Sequence, residues 1–229
     1  MPAHDLVRRA LTTGCLLLAP GLAEAAELSG RIGLISERSG RPARGVNLTE
    51  TIVAFVPAGQ ATPNAPKEPY VMATVRKSFE PASLVVQTGS SVIFPNFDPI
   101  LHNVFSLTPE SPFDLGLYGK GEGKTVVFGS SGLIRVFCNV HQDMYAHILV
   151  VDTPHYTRAK ADGSFALRDL PQRAGRLLLW HPRANLETVQ SVAPGRGLSF
   201  SLAVKRRKVP SHVNKLGKPY GKRRSRYGG

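Results

Sequence analysis

Three side chains with affinity for soft metal ions lie within seven residues, in Cys138-Asn-Val-His141-Gln-Asp-Met144. A fourth, His102, stands thirty-six residues before the cysteine and is followed by Asn103. One tight loop at the end of a strand can hold Cys138, His141 and Met144. His102 must then be delivered by another part of the fold, so the chain has to fold around this group. A thiolate, two imidazoles and a distant thioether form the ligand set of a blue-copper electron-transfer site. The thiolate suits Cu(I), the imidazoles suit both oxidation states, and the thioether tunes the potential. Two other chemistries use some of these residues. A Cys138–His141 pair resembles the start of a thiol nucleophile, but no orienting third residue or oxyanion hole is visible, and Met144 would have no task. Zinc accepts Cys and His, but methionine is a poor ligand for it.

The first 26 residues predict an export signal and a periplasmic destination. Arg8 and Arg9 precede an apolar run, Ala10–Leu18, which Pro20-Gly21 ends before an Ala23-Glu24-Ala25 cleavage pattern. The run is too short to span a membrane. The paired arginines also open a twin-arginine signal, although the surrounding residues match that pattern poorly. Cleavage removes Cys15 and leaves Cys138 as a lone thiol in an exported chain. Such a thiol has no disulfide partner, and a bound metal would occupy it.

Charge is concentrated at one end. The net +13 splits into +3 over residues 27–204 (17 basic, 14 acidic) and +10 over residues 205–229, which carry no acid. Few apolar residues accompany that run, so a disordered basic tail is expected at 205–229. It would suit an anionic membrane surface or an acidic partner. Nucleic acid also fits the charge, but an exported protein seldom meets it.

From Pro81 onward the apolar residues come in short β-rich runs separated by glycines, the pattern of an antiparallel sandwich or barrel. In Leu133–Cys138, the residues Ile134, Val136 and Cys138 share one parity and so face the core. Arg135 assigns Leu133 and Phe137 to the side nearer solvent. His147 reads as an outward strand residue and Trp180 as a core anchor of the flanking segments.

The text Phe79-Glu80-Pro81, Gly89–Asn96, His102-Asn103-Val104-Phe105 and Cys138-x-x-His141-x-x-Met144 resembles the cupredoxins of plastocyanin and amicyanin type. The short final loop has the amicyanin spacing. Phe94-Pro95-Asn96, Phe113–Tyr118 and Cys138–His141 also resemble exported bacterial proteins labelled methylamine utilization proteins, a label that does not establish a role in methylamine oxidation. The resemblance implies an all-β, Greek-key sandwich over 70–153. It also implies one type 1 copper ion held by His102, Cys138, His141 and Met144, with Asn103 bracing the ligand loop through hydrogen bonds. An electron carrier follows, with no catalytic residues, exchanging electrons through His141 with a dehydrogenase or cytochrome in a weak, transient complex. A copper-delivery protein and a structural or interaction module remain as alternatives.

The flanking text, Leu28–Ile35, Gly40–Val46 and Ile52–Val56 before it and Asp162–Pro171 and Leu177–Pro182 after it, resembles a transthyretin-like sandwich. Its halves, 27–60 and 154–204, would be interrupted by the copper domain. The stretch Ala58–Pro69, with Pro63, Pro66 and Pro69, would serve as the linker.

Overall fold

Which strands are buried along their whole length decides how the layers stack. Ile52–Pro57 and Ala146–Val151 are buried at every position, and a strand of that kind needs cover on both faces. The structure, a computed structural model, describes residues 25–206 and 212–220. The expected export signal falls on residues outside that range, apart from Ala25 and Ala26.

The fold is all-β, with seventeen strands among the described residues. Strands β1 (Ala26–Ser36) and β2 (Ile52–Pro57) come first. Then follow β3 (Tyr70–Val71), β4 (Ala73–Val75), β5 (Ser78–Glu80), β6 (Ser83–Gln87), β7 (Ser91–Asn96) and β8 (His102–Ser106). Next are β9 (Phe113–Tyr118), β10 (Gly121–Val127), β11 (Gly132–Phe137) and β12 (Tyr145–Val151). The chain ends in β13 (Tyr156–Arg158), β14 (Ser164–Leu170), β15 (Gly175–Trp180), β16 (Glu187–Val192) and β17 (Gly195–Val204).

These strands form four sheets. One sheet is ordered β10-β7-β4-β5, with β3 also on β7, and a second is ordered β6-β12-β11-β8-β9. Both draw only on residues 70–151 and enclose a core that includes Phe94, Phe128, Ile134, Val136, Cys138 and Met144. The other two, β14-β1-β17 and β13-β2-β15-β16, draw on 26–57 and 156–204. Their shared core includes Leu28, Phe55, Phe165, Leu177 and Leu202.

A third apolar cluster joins the two sandwiches. Ile52 and Ala54 of β2 and Trp180 of β15 pack against Val85 of β6 and Leu149 and Val151 of β12. Alternation along β2 therefore serves two cores at once, with Val53 and Phe55 turned into the flanking core and Ile52 and Ala54 into the junction. Arg158 reinforces the junction by donating to the Ser83 carbonyl (2.8 Å) and hydroxyl (3.2 Å).

This junction corrects two expectations. His147 is 4% exposed, not an outward residue, because the face of β12 that carries it is covered by the second sandwich. Its ring meets Trp180 edge-on at 5.1 Å. Trp180 anchors the junction between the sandwiches and not the flanking core alone. Ile134, Val136 and Cys138 point into the central core as their parity predicts, and Arg135 is exposed. Phe137, on the Arg135 side, is nevertheless buried, in part by His212 stacked on it at 4.2 Å. Residues 212–220 of the basic tail thus pack against the central sandwich, and the tail's remainder beyond Arg206 lies outside the described residues.

Candidate metal centre

His102 opens β8, Cys138 follows the last residue of β11, and His141 and Met144 lie in the loop that leads into β12. The loop is closed on itself. The Met144 N–H donates to the His141 carbonyl (2.9 Å), and the Cys138 N–H donates to the Met144 carbonyl (3.2 Å). The structure brings three of the four expected residues, His102, Cys138 and His141, to one place. Ligand atoms of His102, Cys138 and His141 lie within 4.8 Å of one another. Cys138 Sγ is 3.8 Å from His102 Nδ1, and the two imidazoles are 5.0 Å apart at their centroids. Cys138 and His102 are fully buried, Met144 is 2% exposed, and His141 is half-buried. Met144 joins Cys138 in the same core cluster. Among the described residues, Asp143 and His147 fall outside the metal-competent group.

The protonation states follow from the surroundings. Asp98 Oδ2 lies 2.8 Å from His102 Nε2. Burial acts to raise the Asp98 carboxyl, but hydrogen bonds from the Lys77 N–H, the His102 ring and the Arg76 N–H hold it below its ordinary value. A carboxylate only accepts, so His102 Nε2 bears a proton directed at Asp98, and Nδ1 is the ring nitrogen on the Cys138 side. This is the arrangement by which a carboxylate orients a metal-binding histidine. His141 is held below its ordinary pKa by burial first, then by His102 and Lys77, with Asp98 opposing. Its Nδ1 is buried and has no hydrogen-bond partner. A buried nitrogen without a partner, beside a buried thiol and a second imidazole, is the donor set a soft metal ion satisfies. The residues present therefore fit copper.

Asp98 carries no metal-binding motif and was not singled out by the sequence. It is held by a local framework: its N–H donates to Asn96 Oδ1 (2.9 Å), which also accepts from the Thr74 hydroxyl (2.8 Å). The Asn96 amide in turn donates to the Ile100 carbonyl (2.9 Å). Asp98 also accepts from the N–H groups of Arg76 (2.6 Å) and Lys77 (2.8 Å). Both of those residues have positive φ, 51° and 58°, in the turn between β4 and β5. A left-handed backbone is costly without glycine, and these two bonds offset that cost. A signal was available in the sequence, since an acid four residues before a ligand histidine is a natural partner for its second nitrogen.

Asn103 is buried, and its amide donates to Asp114 Oδ1 (2.6 Å) and the Gly116 carbonyl (3.0 Å), both on β9. Its bonds thus run to the neighbouring strand and not to the Cys138–Met144 loop. Beside the centre, a cavity of about 600 Å³ is lined by Met144, Asp143, Glu50, His147 and Arg158, at the seam between the two sandwiches.

No protein-family model matches the chain, and no curated protein matches it. Among solved structures it is similar to a purple cupredoxin from Nitrosopumilus maritimus, at 19% identity over 36% of this chain and 99% of that one, with a TM-score of 0.32. It is also similar to a reduced amicyanin variant, at 18% identity over 43% of this chain and 98% of that one, with a TM-score of 0.35. A third is a copper-containing nitrite reductase from Thermus scotoductus SA-01, at 23% identity over 42% of this chain and 25% of that one, with a TM-score of 0.36.

Proposed function

We propose that the protein is an exported electron carrier that binds one type 1 copper ion through His102, Cys138 and His141, with Met144 as the weak axial ligand. The observation that supports this most is the buried convergence of two imidazoles and one thiol, with Asp98 orienting His102 and His141 Nδ1 left without a partner. When bound, copper would supply a one-electron couple between Cu(II) and Cu(I).

The protein's part is to hold the donors still and keep water out. Cys138, His102 and Met144 sit in a packed core whose strands do not need to move between oxidation states. His141, the least buried of the four, offers the route to the surface. Exposed apolar side chains occur in the two segments that carry the histidines: Phe97, Ile100 and Leu101 before His102, and Val140 before His141. An apolar rim of this kind suits a weak, short-lived complex with a redox partner such as a dehydrogenase or cytochrome. The test is to challenge the copper-loaded protein with a Cu(I) chelator after reduction and again after reoxidation. An electron carrier keeps its copper through repeated cycles and shows a reversible potential. Loss of copper on the first reduction would contradict the carrier and support a delivery protein.

A further inference from the structure

The segment 212–220 forms a turn closed by its own hydrogen bonds. The Asn214 side-chain oxygen accepts from the N–H groups of Leu216 and Lys218, both at 3.0 Å. The Asn214 N–H donates to the Lys218 carbonyl (2.8 Å), and Gly217 takes φ +72°. Such a side-chain-closed turn fixes the backbone locally, and it leaves Lys215 directed at the central sandwich. On one side of the turn the His212 ring lies nearly parallel to Phe137, with Tyr220 edge-on to His212 at 5.3 Å.

Lys215 makes two contacts of different kinds. Its backbone N–H donates to Asn139 Oδ1 (3.1 Å), and its ammonium pairs with Asp114 Oδ2 at 2.7 Å. Asp114 also accepts from the Asn103 amide. Asn139 follows Cys138, and Asn103 follows His102. The sheet itself does little to join these two points, since β11 meets β8 at the pair Phe137↔Phe105, and β8 there turns to β9 for the partners of His102 and Asn103.

We propose that Lys215 is a positioning residue of the metal centre, closing a polar bridge Asn103–Asp114–Lys215–Asn139 between the residues that follow two of its ligands. The bridge would set the spacing of β8 and the end of β11 where ladder hydrogen bonds do not. It rests on the copper reading only for its consequence, because the bridge itself is a feature of the protein chain. A partly exposed ion pair contributes little stability. Its removal should therefore be felt as looser geometry at the centre and not as unfolding.

The test compares the full chain with Lys215→Met, Lys215→Arg and Asn139→Ala. In the metal-free proteins, amide hydrogen exchange is read over residues 139–144. Exchange should be faster in Lys215→Met and Asn139→Ala, close to the unmodified protein in Lys215→Arg, and accompanied by little change in Tm. In the copper-loaded proteins, the dissociation constant of Lys215→Met should rise about tenfold, as for removal of other outer partners of a metal ligand. Unchanged exchange in the metal-free Lys215→Met protein would overturn the bridge whether or not copper binds. Changes that only follow a matching fall in Tm would also overturn it. If the unmodified protein binds no copper while exchange still responds, the bridge stands and the copper reading falls.

Discussion

His147 makes the stability of this protein depend on pH in a calculable way. Its ring is enclosed by Trp180 and Tyr145, and Arg135 lies opposite it in the ladder of β11 and β12. Burial, with a smaller contribution from the Arg135 charge, pushes its pKa down from 6.5 to about 4. The folded state therefore keeps the ring neutral while the unfolded chain protonates it. Above pH 6.5 both states are neutral, and the group contributes nothing to pH dependence. Between pH 6.5 and about 4 the unfolded state binds the extra proton, so stability falls as pH falls. The full loss is roughly 3 kcal/mol below the folded pKa, and about 2.5 kcal/mol is expressed by pH 4.5. The perturbation is His147→Phe, which keeps a ring against Trp180 and removes the titration. Urea unfolding of the metal-free proteins at pH 7.5 and 4.5 should show the variant losing about 2.5 kcal/mol less than the unmodified protein over that interval. Carboxylates that titrate in both proteins cancel in the comparison. Equal pH dependence in the two proteins would refute a neutral, buried His147.

Three substitutions probe the framework. Asp98→Ala leaves the His102 Nε2–H and the Arg76 and Lys77 N–H groups without their acceptor. It should cost about 2–3 kcal/mol in urea unfolding and weaken copper binding about 10–100-fold in a competition titration. Trp180→Ala empties the centre of the junction and should cost about 3–5 kcal/mol. Because β2 serves both cores, calorimetry should still show one transition, and two separated transitions would contradict the shared junction. Gly123→Ala drives a Cβ into the Phe94 carbonyl oxygen at φ +83°, so the β7–β10 ladder must shift. A loss of more than about 1 kcal/mol is expected, and a neutral result would contradict that close approach.

The centre was legible in the sequence because its chemistry is local. Cys138 and His141 share one loop, and parity along β11 points Cys138 inward without any knowledge of the rest of the fold. Sequence and structure differ where a second partner decides the outcome. Alternation places His147 outward because it identifies a core face but not whether the other face meets water. The continuous apolar runs Ile52–Pro57 of β2 and Ile148–Val151 of β12 carried that information, since such runs need cover on two sides. Phe137 and His212 could not be paired from the sequence, because the stack joins residues 75 positions apart across a run of basic residues that looks unable to pack. Asp98 stands four residues before His102, but its placement against the ring depends on the Arg76–Lys77 turn, which the chain brings to it from the β4–β5 hairpin.

A thiolate-bound copper ion at Cys138 is best tested by the visible absorption and electron paramagnetic resonance spectrum of the protein with one equivalent of Cu(II), beside that of Cys138→Ala. An intense thiolate-to-copper band and narrow hyperfine splitting are expected, both lost in the variant. A weak, tetragonal copper spectrum that Cys138→Ala leaves unchanged would contradict copper binding by that thiolate.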